Sequence, residues 1–273
     1  MSILIIVLWA GAIILIAKFG LVTGIEHVAA SLKWTAKARG QWTGFATSAP
    51  EFVCLVAAGL AGVWEAGLWN IASSNIINFI LMGFAAGWNL QLPDLFNRRF
   101  LDEILFAVLA IVAPIVLMLY GIDESWTVIP VLLLFFGLYR FVDVRVNRAE
   151  LEGGGEPGGG EPAAGSLRIG LILTATALVT LAIAGFFLGG ATENVVNRIG
   201  ISPAIAGLIL GFTSSLPEAI TFFSVYASAR AAGKLGSLAD TQEVLDNLTA
   251  SNMANVGLVY PVGLLIYLIV ISV

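Results

Sequence analysis

The sequence predicts an all-α polytopic membrane protein of two inverted-topology repeats, with about eight transmembrane helices and its N-terminus outside. Three observations carry this. The 273 residues are 59% hydrophobic and 11% charged, with a mean hydropathy of +0.95. A soluble domain carries about 25% charged residues, so this chain could not present a solvated surface all round. Its apolar residues form long runs, most of them near the roughly 20 residues that cross a bilayer. Finally, Gly44-Phe45-Ala46-Thr47-Ser48-Ala49-Pro50-Glu51 is echoed by Gly211-Phe212-Thr213-Ser214-Ser215-Leu216-Pro217-Glu218, with five of eight positions identical.

The apolar runs cover residues 2–30, 42–63, 67–88, 101–121, 126–146, 167–197, 202–230 and 244–272. The first run lacks a cationic start and a cleavage site, so it reads as a retained helix and not a signal peptide. Trp42, Trp64, Trp69, Trp88 and Trp126 fall near run ends, where an aromatic belt would place them. Lys33, Lys37, Arg39, Arg98, Arg99, Arg140, Arg145, Arg148, Arg168, Arg230 and Lys234 gather on one side if the N-terminus is outside, while Glu65, Asp123, Glu124 and Arg198 fall on the other. Lys18 lies within the first run and fits neither side. Residues 153–165 are a Gly/Pro/Glu sequence with linker composition. The expected division is 1–148, a first half of five helices; 149–166, a cytoplasmic linker; and 167–273, a second half of three. Five is odd, so the second half enters the membrane with the opposite orientation, a known transporter plan.

The echo extends beyond the two motifs. Glu26 and Glu193 each lie 25 residues before Glu51 and Glu218, and Gly40 matches Gly207. Downstream, Asn70-Ile-Ala-Ser-Ser74-Asn75-Ile-Ile-Asn78 is echoed by Asn247-Leu-Thr-Ala-Ser251-Asn252-Met-Ala-Asn255. From Glu51 to Asn70 is 19 residues and from Glu218 to Asn247 is 29, so the added length is expected in a loop holding Lys234, Asp240 and Glu243.

A carboxylate within a membrane helix costs about 2.5–3.5 kcal/mol on insertion scales and calls for a compensating role. Thr47 and Ser48 lie one turn before Glu51, and Ser214 and Ser215 one turn before Glu218, so hydroxyls and carboxylate share a helix face. Pro50 and Pro217 have no N–H to give, which is expected to free the carbonyls of Ala46 and Thr213. Asn70, Ser74 and Asn78 form one helical stripe, and Asn247, Ser251 and Asn255 another. Carboxylate, amide, hydroxyl and carbonyl oxygens without clustered His or Cys make a hard ligand set, suited to Ca²⁺ with Na⁺ also open, and unsuited to zinc or copper. Ser and Asn in membrane helices also serve helix packing. The two Glu residues, with Pro and hydroxyls at matching offsets, are harder to account for in that way.

These motifs resemble the alpha-repeats of the calcium/cation antiporter superfamily, especially its sodium/calcium exchanger branch. By that resemblance Glu51 and Glu218 are shared central ligands. Thr47, Ser48, Ser214 and Ser215 supply flanking backbone and hydroxyl oxygens, Asn78 and Asn255 complete the central site, and Ser74 and Ser251 belong to outer sites. The resemblance implies transported Ca²⁺ and Na⁺, alternating access by sliding of the first and sixth helices, and no enzyme activity. That family usually has ten helices, against eight here; a shortened chain, an intrinsically short member or a homo-oligomeric assembly would each account for it. Some members carry Asp where this chain has Asn255. Two central carboxylates instead of three favour two monovalent ions per Ca²⁺, so a Ca²⁺/H⁺ antiporter is the alternative. Proton-coupled members typically have Gly-Asn-Ala before the Glu, which favours Na⁺.

A cation channel is a further alternative, and a channel filter is more often a symmetric ring. An intramembrane protease would need a Ser/His or paired-Asp arrangement that the spans lack. Expected partners are membrane lipid and the transported cations. No basic patch suggests nucleic acid, and the lone Cys54 excludes a disulfide framework. Cys54 reads as a small lining residue, His27 as a helix-end residue, and Asp240, Glu243 and Asp246 as a solvated loop and helix start. The expected location is the cell membrane of a prokaryote.

Overall fold

The computed structural model describes residues 2–146, 166–236 and 238–272, with the backbone alone for residues 2–7, 10, 189, 192, 193 and 195–199. The linker sequence 153–165 and Arg148 therefore lie outside the described residues, as do the side chains of Glu193 and Arg198.

Every regular element among the described residues is helical. The first span comprises α1 (Ser2–Ile16), a π-turn (Ala17–Val22) and α2 (Thr23–Leu32). The second is broken into α3 (Ala36–Thr47) and α4 (Ala49–Leu60). α5 (Trp64–Trp88), α6 (Leu101–Leu119), α7 (Val128–Val146) and α8 (Leu167–Ile199) follow as single helices. The seventh span is broken into α9 (Pro203–Ser214) and α10 (Leu216–Ala231). The eighth is α11 (Ala239–Ala254), a π-turn (Asn255–Val259) and α12 (Tyr260–Ile271).

Seven of the eight spans have helices long and apolar enough to cross a membrane. The exception, α7, carries Arg140, Asp143 and Arg145 near its end. The structure shows why they are tolerated: Arg140 and Asp143 pair with each other and with side chains of α3. The second and eighth spans start earlier than hydropathy suggests, at Ala36 and Ala239, because buried polar residues open both helices.

Polar and apolar surfaces are distributed as a bilayer requires. The outside carries Leu134, Val179, Phe186 and Phe212, each more than half exposed, while Asn, Ser, Thr and Glu fill the centre. Trp42, Trp88 and Trp126 are exposed as a belt would have them. Trp64 is not: it is buried and stacks on Tyr267, ring centroids 4.7 Å apart.

Four helices build the centre in two crossed pairs, α3 along α11 and α9 along α5. Glycines set both crossings. A methyl at Gly40 would meet Asp246 Cβ at 2.9 Å, and one at Gly44 would meet Ser251 N at 2.9 Å. One at Gly207 would meet Asn70 N at 2.9 Å, and one at Gly211 would meet Ser74 N at 2.8 Å. The contacts advance together along each pair, so α3 runs parallel to α11 and α9 parallel to α5. Arg99, just beyond the end of α5, donates to Gln242 at the start of α11, 3.3 Å away. α5 and α11, which share the Asn/Ser stripe, therefore run in opposite directions. This is the inverted topology expected from five helices before the linker.

Lys37, Glu103, Asp143 and Asp246 meet at one end of the molecule, which corrects the reading of Asp240, Glu243 and Asp246 as solvated. Lys37 Nζ is 3.0 Å from Glu103, 2.8 Å from Asp143 and 2.7 Å from Asp246, and Lys37 is 1% exposed. Arg39 pairs with Glu243. Asp240 accepts from the Thr241 N–H at 2.8 Å. Paired in this way, all three acids can be buried. At the other end the loop after α6 meets α12, where Tyr260 OH donates to the Asp123 carbonyl at 2.9 Å.

Candidate cation site between the two broken helices

Each broken span interrupts its helix at a serine. Ser48 (φ −77°, ψ −1°) separates α3 from α4, and Ser215 (φ −79°, ψ 0°) separates α9 from α10. Proline follows two residues on, in the first turn of the next half-helix, where a missing N–H costs nothing. Glu51 and Glu218 come directly after it, also in the first turn. The carbonyls of Ala46 and Thr213 are not left free as expected. They take the N–H of Ser48 and Ser215.

All ten predicted site residues are buried: nine are fully so and Ser48 is 2% exposed. The two halves repeat the same contacts. Ser74 Oγ donates to Glu51 Oε1 at 2.9 Å, and Ser251 Oγ donates to Glu218 Oε1 at 2.8 Å. Ser74 Oγ is 2.9 Å from Ser215 Oγ, and Ser251 Oγ is 3.2 Å from Ser48 Oγ. Each carboxylate is thus tied through one serine to the helix break of the opposite half. Thr47 Oγ1 donates to the Gly44 carbonyl (3.1 Å) and Ser214 Oγ to the Gly211 carbonyl (3.4 Å), while Ser214 Oγ also reaches Asn70 Oδ1 (3.2 Å), one place where the halves differ.

The amides cross between the halves. Asn78 Nδ2 donates to Asn252 Oδ1 at 3.3 Å, and Asn255 Nδ2 donates to Asn75 Oδ1 at 3.0 Å. Asn255 opens a π-turn, a distortion frequent at functional sites. With those bonds made, four acceptor oxygens of the predicted site residues have no donor: Glu51 Oε2, Glu218 Oε2, Asn78 Oδ1 and Asn255 Oδ1. Buried oxygens without donors are costly, and a hard cation is the partner that suits two carboxylates and two amide carbonyls.

Asn75 and Asn252 belong to this arrangement, and the sequence reading left them out of the site. Their only signal was their place in the echoed stretch, off the stripe, which does not separate packing from ligation. Cys54 is fully buried and its thiol points to the Gly185 carbonyl at 3.4 Å, so it joins α4 to α8 and does not line the site. Glu26 is exposed on α2. His27 Nδ1 is buried without a hydrogen-bond partner.

Residues 169–273 match the family model described as sodium/calcium exchanger protein. No curated protein matches the chain. Among solved structures, the sodium-calcium exchanger NCX_Mj soaked with 2.5 mM Na⁺ and 10 mM Sr²⁺ is 24% identical, with 97% of this chain and 83% of that chain covered and a TM-score of 0.59. The same exchanger soaked with 2.5 mM Na⁺ and 0.1 mM Ca²⁺ is 22% identical, covering 95% and 80%, with a TM-score of 0.57. The chain therefore shares the fold of the NCX_Mj exchanger, and its residues 169–273 match the sodium/calcium exchanger protein family model.

Proposed function

We propose that the protein is a secondary antiporter exchanging Ca²⁺ for Na⁺ by alternating access, in the cell membrane of a prokaryote. The observation that carries this is the set of four donor-less oxygens, two carboxylate and two amide, contributed equally by two inverted halves. Glu51, Glu218, Asn78 and Asn255 would hold the central ion. Ser74 and Ser251, with Thr47, Ser48, Ser214 and Ser215, would complete the flanking coordination. Residues 1–148 and 167–273 would act as the two repeats, joined by 149–166. Because Asn255 is not a carboxylate, the site holds two negative charges, which one Ca²⁺ or two Na⁺ would balance equally. The exchange would then move no net charge.

The test is ⁴⁵Ca²⁺ uptake into proteoliposomes driven by an outward Na⁺ gradient, compared with an outward H⁺ gradient. Uptake with Na⁺ is expected. Uptake with H⁺ alone would replace Na⁺ by H⁺ as the coupling ion. Flux at channel-like rates with neither gradient would overturn the carrier reading.

A further inference from the structure

An asparagine can serve a cation site only if its amide is turned the right way. The carbonyl oxygen ligates, whereas the NH₂ group presents positive hydrogens and repels. Asn78 and Asn255 could each be turned either way by a simple rotation, so something must choose. No solvent reaches either residue, both being fully buried. The choice falls to protein neighbours.

We infer that Asn75 and Asn252, together with Pro114 of α6, are positioning residues that hold the amide oxygens of Asn255 and Asn78 toward the cation. The inference rests on the cation site proposed above.

The chain of hydrogen bonds begins outside the four central helices, on α6. Pro114 lies inside α6 and has no N–H for the carbonyl four residues back, that of Ala110. That carbonyl accepts instead from Asn75 Nδ2, at 3.0 Å. With its NH₂ committed, Asn75 must present Oδ1 on its other side, and there it accepts from Asn255 Nδ2 at 3.0 Å. Asn255 in turn has only its oxygen left to offer, and that oxygen has no donor. The second arm runs the other way. Asn252 Nδ2 donates to the Asn75 backbone carbonyl at 3.1 Å, so Asn252 Oδ1 accepts from Asn78 Nδ2 at 3.3 Å and leaves Asn78 Oδ1 free. Reversing Asn75 or Asn252 would bring two NH₂ groups face to face and abandon a buried carbonyl. The two arms are related by the inverted repeat, but only the first is anchored on α6.

The experiment measures the Ca²⁺ concentration that half-saturates Na⁺-driven ⁴⁵Ca²⁺ uptake by the purified full chain in proteoliposomes. Asn75→Leu and Asn252→Leu keep approximate shape and remove the acceptor. Each is expected to raise half-saturation about 10–100-fold, the usual loss for a group that orients a metal ligand. A carboxylate has an oxygen on both sides and needs no orienting. In the Asn255→Asp background, Asn75→Leu should therefore cost less than about threefold, and Asn78→Asp should protect likewise against Asn252→Leu. Equal losses with and without the Asp would assign Asn75 and Asn252 to packing and overturn the inference. So would an unchanged half-saturation.

Pro114→Ala guards against misfolding, because it repairs the α6 ladder. The inference expects it to weaken Ca²⁺ half-saturation without lowering thermal stability; unaltered half-saturation would detach α6 from the site. Wild-type liposomes that take up no Ca²⁺ would overturn the cation site and this inference together. Wild-type uptake abolished by Glu51→Gln but untouched by Asn75→Leu would overturn this inference alone.

Discussion

At Glu51 and Glu218, one oxygen of each carboxylate accepts from a serine hydroxyl and the other is buried without a hydrogen-bond partner. Two charges so thinly hydrogen-bonded in a buried centre need a cation to be held there together. Glu51→Gln and Glu218→Gln are therefore each expected to reduce Na⁺-driven ⁴⁵Ca²⁺ uptake to the level of empty liposomes, with the purified protein still eluting as one species. Normal flux in either variant would remove that residue from the site. In the proposed site Asn255 would set the charge balance. Wild-type exchange is expected to be indifferent to an imposed membrane potential, and Asn255→Asp, which adds a third carboxylate, to make it sensitive; a potential-dependent wild type would contradict the balanced count. These residues were legible in the sequence because Glu, Pro and hydroxyls recur at identical offsets. The orientation of the amides was not, since it depends on carbonyls in α5 and α6 far along the chain.

At the level of helices, the small residues at the α3–α11 and α9–α5 crossings matter more than apolar area. A side chain at Gly44 would run into the backbone of α11. Gly44→Val is expected to destabilise by about 1–3 kcal/mol, as overpacking usually does, read as a lower thermal midpoint in detergent. Gly83→Ala, where nothing lies within 4 Å, is the control and should stabilise slightly. Equal effects at both positions would discard the close-crossing account. The Lys37 ammonium holds three buried carboxylates from α6, α7 and α11 against α3. Lys37→Met removes the cation that the three share and is expected to cost about 3–5 kcal/mol, again read by thermal denaturation. Hydropathy placed Lys37, Asp240 and Glu243 outside the helices because a charge lowers the local average whether it is solvated or paired. The matching Gly40 and Gly207 were visible as an echo, but what they approach was not.

Over the whole molecule, the buried polar centre is built from both opposed halves, and at the proposed site protons would compete with cations for the carboxylates. Lowering pH from about 8 to about 5.5 raises the concentration of protons that would compete with a cation at Glu51 and Glu218 and is expected to slow Ca²⁺ uptake. Rates unchanged across that range would count against two free glutamates as ligands. By itself the sequence determined the membrane class, the opposed orientation of the halves and the two carboxylate motifs, because hydropathy, helix parity and internal repetition are local or countable properties of the chain. Only the tertiary structure decided which oxygens stay without donors, that Asn75 and Asn252 turn their neighbours' amides, and that the acidic start of α11 is buried on Lys37 and Arg39. Each of those depends on which side chains from distant segments meet in a space closed to water, where every donor must find an acceptor and every charge a partner.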